Sequence, residues 1–124
     1  MGRVRARGGA DPAAGKDFLN FATTKPNTSV TIIYNAECAV LGTPGRKFPI
    51  RITVDNQNTL PTPPTNNFAF CASTNTTNKI YTAVSRVAVY KVPAAGTHTV
   101  RVFGILPDGE TFASVDDTSL VVLK

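Results

Sequence analysis

The sequence predicts an all-β domain, an antiparallel two-sheet β-sandwich of jelly-roll type with eight or nine strands. Its apolar segments are short and rich in valine and isoleucine, which pack well on a pleated sheet. Clusters of glycine, proline, asparagine and threonine separate these segments at regular intervals. So many antiparallel strands must close into a barrel or pack as two sheets, and we expect the sandwich.

The N-terminal end is predicted to differ from the rest of the chain. Residues 1–16 are expected to be a flexible basic segment or a remnant of cloning, and residues 17–124 a single β-sandwich domain. The first sixteen residues have the positive charge of a targeting segment but lack the apolar stretch of a secretory signal. Residues 11–22 can begin a helix, whereas residues 17–23 can equally form a strand.

The next strands follow from turn signals and alternation. Residues 28–40 form one long strand or two strands joined by a bend near Asn35. From Phe48 to Val54 every second side chain is apolar, which predicts one core face and one solvent face.

A loop is expected from Asp55 to Asn67, where three prolines lie among asparagines and threonines. Binding surfaces are often built on loops that a rigid sandwich holds, so this loop and the polar turn at residues 73–78 are the candidate binding surface. The candidate ligand-contacting residues are Asp55, Asn56, Gln57, Asn58, Asn66 and Asn67.

The second half of the chain predicts further strands. Residues 68–72 form a short strand, and residues 79–92 form a long one with a bulge between Arg86 and Val89. Gly96 allows a tight reversal, so residues 97–106 are expected to pair with this long strand as a hairpin.

The last strands are predicted from two turn signals. Asp108-Gly109 is a strong hairpin signal, because both central positions of that turn favour positive φ. It is followed by a strand at residues 111–115, an acidic turn at Asp116-Asp117 and a final strand at residues 118–124.

Several of these segments carry a family resemblance. The strings "VPAAGTHTVRVFG" and "VDDTSLVVLK", with "NAECAV", "IRITVDN" and "FAFCAS", resemble the strands of small jelly-roll modules of unassigned function in bacterial proteins. These modules are similar in architecture to C1q and tumour-necrosis-factor domains, although this chain lacks the densely aromatic core of animal C1q domains. The resemblance covers residues 28–124. It implies a secreted or cell-surface bacterial protein, whose signal peptide is not visible here, and a homo-oligomer, with a trimer favoured.

The sequence allows two interpretations of its two cysteines, Cys38 and Cys71. They form a disulfide between neighbouring strands in an oxidising compartment, or they are two buried free thiols. The resemblance includes both cysteines and implies export, which favours the disulfide. Zinc requires about four nitrogen or sulfur ligands, and this chain offers two cysteines and one histidine, so no metal site is predicted.

The single histidine, His98, is predicted to be a packing or hydrogen-bonding residue. A catalytic triad would need a nucleophile and an acid beside it, and the sequence offers no strained elbow of the GxSxG kind. The candidates for those two roles are Ser114, Ser119, Asp116 and Asp117. No catalytic residue and no cofactor are predicted, and a hydrolase that uses His98 is the weakest alternative.

The charge pattern favours neither a nucleic-acid ligand nor a calcium ion. Most of the net charge of +5 lies in residues 1–16, and charges nearly balance elsewhere, so a nucleic-acid partner is not expected. The residues that would form a nucleic-acid face are Arg46, Lys47, Arg51, Arg86, Lys91, Arg101, Tyr81, Tyr90 and Phe103. Calcium would need acidic loop ligands, for which the candidates are Asp108, Glu110, Asp116 and Asp117, but acidic residues at turns more often cap backbone N–H groups.

The function predicted first is a non-enzymatic oligomerising or surface-binding module with a protein or glycan ligand. The alternative is a basic β-barrel that binds nucleic acid, and the third is a carbohydrate-binding module, whose platform would be unusually polar because the chain has no tryptophan. No apolar run reaches the roughly 18 residues needed to cross a bilayer, so no membrane span is predicted.

Overall fold

The computed structural model describes residues 3–8, 17–61, 69–104 and 112–124. Every regular element in these ranges is a strand, and none of the described residues belongs to a helix that could cross a membrane. The strands are β1 (Arg3–Gly8), β2 (Asp17–Thr23), β3 (Thr28–Leu41), β4 (Lys47–Val54), β5 (Gln57–Asn58), β6 (Ala69–Ala72), β7 (Thr82–Val92), β8 (Gly96–Gly104) and β9 (Phe112–Leu123). The predicted all-β class is confirmed.

The strands form two antiparallel sheets. The four-stranded sheet has the order β1-β9-β3-β7, and the five-stranded sheet has the order β2-β8-β4-β5, with β6 also paired to β4. Apart from the short β5, the pairs are nested along the chain: β1 with β9, β2 with β8, β3 with β7 and β4 with β6. This nesting across two sheets is the jelly-roll arrangement, so the predicted sandwich is confirmed.

The core lies between the two sheets and follows the period-two pattern of the strands. In β3, Val30, Ile32 and Tyr34 are buried, whereas the residues between them are partly exposed. Ile50 and Val102 face them from the other sheet within the same core cluster. Burying one such side chain completely contributes about 1.5–3 kcal/mol, which accounts for the burial of the β-branched segments seen in the sequence.

The predicted bend near Asn35 and the predicted acidic turn are replaced by one β-bulge. β3 is a single strand, and between Asn35 and Glu37 its pairing with β9 slips because two residues of β9 face one residue of β3. Asp117 lies in this bulge with φ of 48°, a left-handed conformation that aspartate tolerates. The turn prediction at Asp116-Asp117 is therefore wrong, and β9 continues through it.

The predicted hairpin between β7 and β8 is also wrong. β7 pairs only with β3 among the strands, and β8 pairs with β2 and β4, so the chain crosses between sheets at Pro93–Ala95. Gly96 adopts φ of 124° at this crossing. Alternation within a strand shows which side chains face the core but not which sheet the strand joins. β7 keeps a continuous register with β3, so no bulge occurs from Arg86 to Val89.

The N-terminal segment contains a strand. The sequence predicted little stable structure over residues 1–16, but Arg3–Gly8 pairs with β9 and forms one edge of the four-stranded sheet. Arginine alternates with valine and alanine there, which is a strand pattern that the composition argument overlooked.

The predicted hairpin turn at Asp108-Gly109 lies outside the described residues. The strands that precede and follow it, β8 and β9, belong to different sheets.

A disulfide joins Cys38 of β3 to Cys71 of β6 with a Cα–Cα distance of 6.2 Å, as predicted. It links the two sheets, and Cys38 is buried in the core cluster. At this end of the sandwich the connections also hold each other, because Ser73 donates its backbone N–H to the Arg46 carbonyl at 2.7 Å and its hydroxyl reaches the Gly42 carbonyl at 2.7 Å.

Candidate functional site

The outer face of the five-stranded sheet gathers polar, basic and aromatic side chains. Strand pairing sets Arg51 opposite Phe103, and it sets Thr53 and Phe18 on either side of Arg101. Neighbouring side chains on one face of a sheet lie close enough to act on the same ligand. We call this surface the binding face, and it consists of Phe18, Arg51, Thr53, Asn56, Asn58, Arg101 and Phe103.

A cleft of about 290 Å³ opens on the binding face. It is lined by Arg51, Thr53, Asn56 and Phe103. Ligand sites commonly combine an apolar wall with a few converging polar groups, and this cleft has a ring, a hydroxyl, an amide and a guanidinium. Its size is near the lower end of the usual range, which suits one small ring of a longer ligand.

The Thr53 side chain gives the cleft its least expected feature. Thr53 is 5% exposed, and its Oγ1 has no hydrogen-bond partner among the described residues. Leaving a buried hydroxyl without a partner costs about 1–3 kcal/mol, and buried polar groups in native proteins are nearly always paired. Thr53 forms part of the cleft wall, but its Oγ1 exposes less than 1 Å² and does not itself face the opening.

Two exposed guanidinium groups make the binding face positive. Arg51 and Arg101 are diagonal neighbours on β4 and β8, a relation that separates residues by about 7–8 Å. Neither forms a salt bridge with a carboxylate of the described residues. Two like charges this close repel each other, so an anionic group between them would be attracted by both.

The aromatic rings of this face are more exposed than expected for phenylalanine. Phe18 is 54% exposed and Phe103 is half-buried. Each ring offers an apolar surface beside an arginine, which is the pairing on which flat ligands stack. The five-stranded sheet therefore presents apolar contact area and charge on the same surface.

Asp55 and Asn56 form the turn that closes one end of the binding face. Their φ angles are 49° and 66°, and β4 and β5 pair directly on either side of them. Two left-handed residues in a row define the two-residue hairpin turn that aspartate and asparagine favour. The sequence predicted an irregular loop here, and that prediction is wrong for residues 55–58, because the left-handed tolerance of this Asp-Asn pair was not considered.

This turn is anchored by His98. The Asp55 carboxylate accepts hydrogen bonds from His98 Nδ1 at 2.6 Å and from the Thr99 backbone N–H at 2.9 Å. The other ring nitrogen, Nε2, donates to the Ala94 carbonyl at 2.8 Å. Since both nitrogens face acceptors, this arrangement favours the doubly protonated imidazolium. His98 therefore fixes the turn that carries Asn56.

The electrostatics of this pair agree with its geometry. The hydrogen bond to Asp55 raises the pKa of His98 above 6.5, against the opposing effect of burial. Burial alone would raise the pKa of Asp55, but hydrogen bonds from His98 and Thr99 outweigh it and lower that pKa below 3.8. Each group thus favours the charged form of the other.

The structure places the remaining catalytic candidates away from His98. Ser114, Ser119, Asp116 and Asp117 all belong to β9, in the sheet opposite β8. Ser114 Oγ lies 2.9 Å from the Tyr81 hydroxyl. The sequence interpretation of His98 as a hydrogen-bonding residue agrees with these contacts, although its partner Asp55 lies 43 positions away and could not be named from the sequence.

The candidate loop residues are divided by the structure. Asn56 lines the cleft, Gln57 and Asn58 are exposed on β5, and Asn66 and Asn67 lie outside the described residues. The polar turn at residues 73–78 is at the far end of β4, and an eight-residue strand spans roughly 25 Å. The two loops therefore do not form one surface through the described residues.

The predicted nucleic-acid residues do not form one face either. Arg51, Arg101 and Phe103 lie on the binding face, but Arg86 and Lys91 belong to β7 in the other sheet. Arg86 is partly buried and donates to the Ala69 carbonyl at 3.0 Å.

Among the acidic residues considered as calcium ligands, Asp116 accepts a hydrogen bond from the Asp117 backbone N–H at 2.9 Å. Asp108 and Glu110 lie outside the described residues. No group of three potential metal ligands occurs among the residues that the structure describes.

Sequence reasoning missed the binding face as a unit. Arg51, Arg101 and Phe103 were considered only within a larger candidate nucleic-acid face, and Thr53 and Phe18 were not considered as ligand contacts. The one available signal was alternation in β4, which places Arg51 and Thr53 on the solvent side of an otherwise apolar strand. Strand register, which the sequence does not give, brings the β2 and β8 residues beside them.

No family model matches the chain, and no curated protein matches it. Among solved structures it is similar to the EclA C-terminal domain, a sugar-binding protein, at 7% identity and a TM-score of 0.47, covering 97% of this chain and 79% of that one. It is similar to the CBM36-1 domain of a multidomain xylanase from the hindgut metagenome of Trinervitermes trinervoides at 8% identity and a TM-score of 0.45, covering 99% and 98%. A family 35 carbohydrate binding module from Clostridium thermocellum matches at 16% identity and a TM-score of 0.40, covering 96% and 90%.

Proposed function

We propose that this chain is a non-catalytic module that binds a carbohydrate on the binding face. The observation that carries the proposal is the cleft, which the Phe103 ring, the Arg51 guanidinium and the Asn56 amide line together. A sugar ring has one apolar face and a rim of hydroxyl groups. It can therefore contact an aromatic ring while it exchanges hydrogen bonds with an amide and a guanidinium.

The chemistry of the cleft supports binding rather than catalysis. Arginine stays protonated at physiological pH, and threonine, asparagine and phenylalanine do not exchange protons there. General acid–base catalysis needs a group whose pKa lies near the working pH, and none of the described residues that line the cleft is such a group. His98, the side chain with that property, is buried behind the turn and bonded at both nitrogens.

Replacing the Phe103 ring tests the proposal. Phe103→Ala is expected to weaken binding to a retained polysaccharide by about ten-fold, because the ring supplies the apolar wall of the cleft. Affinity electrophoresis through gels that contain a panel of neutral and acidic polysaccharides measures this loss. Tyr81→Ala is the matched control, since Tyr81 is exposed and its hydroxyl lies 2.9 Å from Ser114 Oγ on β9, in the opposite sheet. Equal retention of both variants would count against the binding face.

The compartment belongs to the same proposal. A disulfide that joins the two sheets is typical of proteins in an oxidising environment. We therefore propose a secreted or cell-surface module, where polysaccharides are accessible.

Self-association is a second candidate, favoured by the outer face of the four-stranded sheet. Val87 and Val89 of β7 are 50% and 45% exposed, and Leu60, which bridges to Val89, is exposed as well. Ile33 lies beside Val87 in the pairing of β3 with β7, which extends the apolar row. Rows of this kind mark contact surfaces, and the trimer implied by the family resemblance would use a flat sheet face such as this one.

The double variant Val87→Lys/Val89→Lys tests this second candidate. If the apolar row is the contact, the variant is expected to elute as a monomer under conditions where the parent protein is an oligomer, because buried lysines lose hydration. Size-exclusion chromatography with light scattering gives the masses. Ser85→Lys places one lysine at a polar position of the same strand face without removing an apolar side chain, and it should leave the parent mass unchanged. A strictly monomeric parent at high concentration removes this candidate.

A further inference from the structure

The two arginines of the binding face narrow the class of ligand beyond the proposed function, on which this inference rests. Arg51 and Arg101 are exposed, diagonal to each other and without a salt bridge to a described carboxylate. The acidic residue of the adjoining turn, Asp55, is already bonded to His98 and to the Thr99 backbone. The positive charge of the two arginines is therefore not compensated by the carboxylate of this turn.

We propose that the ligand is an acidic polysaccharide whose uronate carboxylates are bound by Arg51 and Arg101. A guanidinium offers parallel N–H donors that match the two oxygens of a carboxylate, and such bidentate pairs are stronger than neutral hydrogen bonds. Carboxylates recur along a polyuronate chain, so two arginines can bind two sugars of one chain. The second contact is then intramolecular and raises the overall affinity.

Strand register suggests the direction of the bound chain. Asn58, Thr53, Arg101 and Phe18 form one row across β5, β4, β8 and β2. With neighbouring strands about 4.8 Å apart, this row is about 14 Å long. It offers the Asn58 amide, the Arg101 guanidinium and the Phe18 ring, with the buried Thr53 between Asn58 and Arg101. Arg51 with Phe103 forms a parallel row beside it. A polysaccharide lying across the strands would thus contact hydrogen-bonding groups and both aromatic rings.

Single-stranded nucleic acid is the other polyanion that a basic and aromatic face could attract. It requires a groove of positive charge that follows the phosphate backbone. Here the other basic residues do not continue the row, because Arg86 and Lys91 lie on the opposite sheet. The polysaccharide is therefore the ligand we propose.

The test uses the full chain and four probes: polygalacturonate, its fully methyl-esterified form, a neutral galactan and an oligothymidylate. We expect polygalacturonate to bind and methyl esterification to weaken binding at least about ten-fold, since the ester removes the charge. Arg51→Gln/Arg101→Gln is expected to weaken polygalacturonate binding by a similar factor and to lower its salt dependence. Lys25→Gln/Lys91→Gln removes the same charge from exposed positions off the binding face and should bind like the parent. Circular dichroism confirms that each variant is folded.

The outcomes separate this inference from the proposed function. If the galactan or the ester binds as well as polygalacturonate and Phe103→Ala weakens that binding, the module binds carbohydrate but the acidic-ligand inference is wrong. If the oligothymidylate binds as tightly as polygalacturonate, the face is a general polyanion surface, which also overturns the inference. If no polysaccharide in the wider panel is retained, the proposed function itself fails.

Discussion

Removing the Cys38–Cys71 disulfide is expected to lower the free energy of unfolding by about 3.5–4 kcal/mol. The cross-link closes a loop between residues that are 33 positions apart, and it restricts the unfolded chain by the corresponding loop entropy. A small domain is typically stable by only about 5–15 kcal/mol, so this loss is a large share of the total. It also acts between the two sheets, because Cys38 belongs to β3 and Cys71 to β6.

The measurement is equilibrium unfolding in urea, comparing the oxidised protein with Cys38→Ala/Cys71→Ala. The reduced parent protein is the matched control, because it loses the cross-link but keeps both side chains. We expect the reduced parent and the variant to agree within about 1 kcal/mol, with any remainder due to the cavity at the buried Cys38. A reduced parent as stable as the oxidised one would show that the cross-link does not stabilise this fold.

Local patterns predicted the elements of this fold well, and pairing information was what the sequence lacked. Alternation in β4 correctly separated Phe48, Ile50 and Ile52 from the solvent side. The same alternation could not show that β7 and β8 belong to different sheets, because Val92 and Val100 face one shared core from opposite sides. Each strand obeys a period of two whichever sheet it joins.

The candidate site was harder to predict because its parts come from four strands and one turn. Arg51 and Arg101 are separated by about fifty positions, and only register makes them diagonal neighbours. Asp55 was assigned to a ligand-binding loop because loops commonly carry function, yet its carboxylate holds His98. An Asp-Asn pair looks the same in the sequence whether its side chains bind a ligand or stabilise a turn. The distinction depends on the partner that the fold supplies.

The Asp55–His98 pair is expected to make stability depend on pH, and Asp55→Asn is expected to lower the free energy of unfolding by about 1–2 kcal/mol at pH 5–6. His98 is 7% exposed and would keep a buried ring nitrogen without its charged acceptor. The value lies toward the lower end for a charged hydrogen bond, because the Asp55 side chain is 46% exposed and solvent screens it. Asparagine tolerates the φ of 49° at this position, so the substitution changes the charge and not the turn.

The two pKa shifts determine how the stabilisation by the Asp55–His98 pair changes above and below pH 5–6. The pKa of His98 is raised in the folded state, so its contribution is complete below pH 6.5 and is lost as the pH rises through the folded pKa. The pKa of Asp55 is lowered, so its contribution is complete above pH 3.8 and is lost as the pH falls through the folded pKa. The difference between the parent and Asp55→Asn should therefore be largest between these limits and should shrink toward pH 9 and toward pH 2.

Urea unfolding at intervals from pH 3 to pH 9 measures this difference directly. Asp116→Asn is the control, because it removes an exposed carboxylate and keeps an Oδ1 for the Asp117 N–H. Its effect on stability should stay small between pH 5 and pH 9, where the Asp55→Asn difference declines. A difference for Asp55→Asn that is constant from pH 5 to pH 9 would mean that the neutral imidazole is held as well as the imidazolium. The role assigned to His98, a cation that binds the turn next to the binding face, would then be wrong.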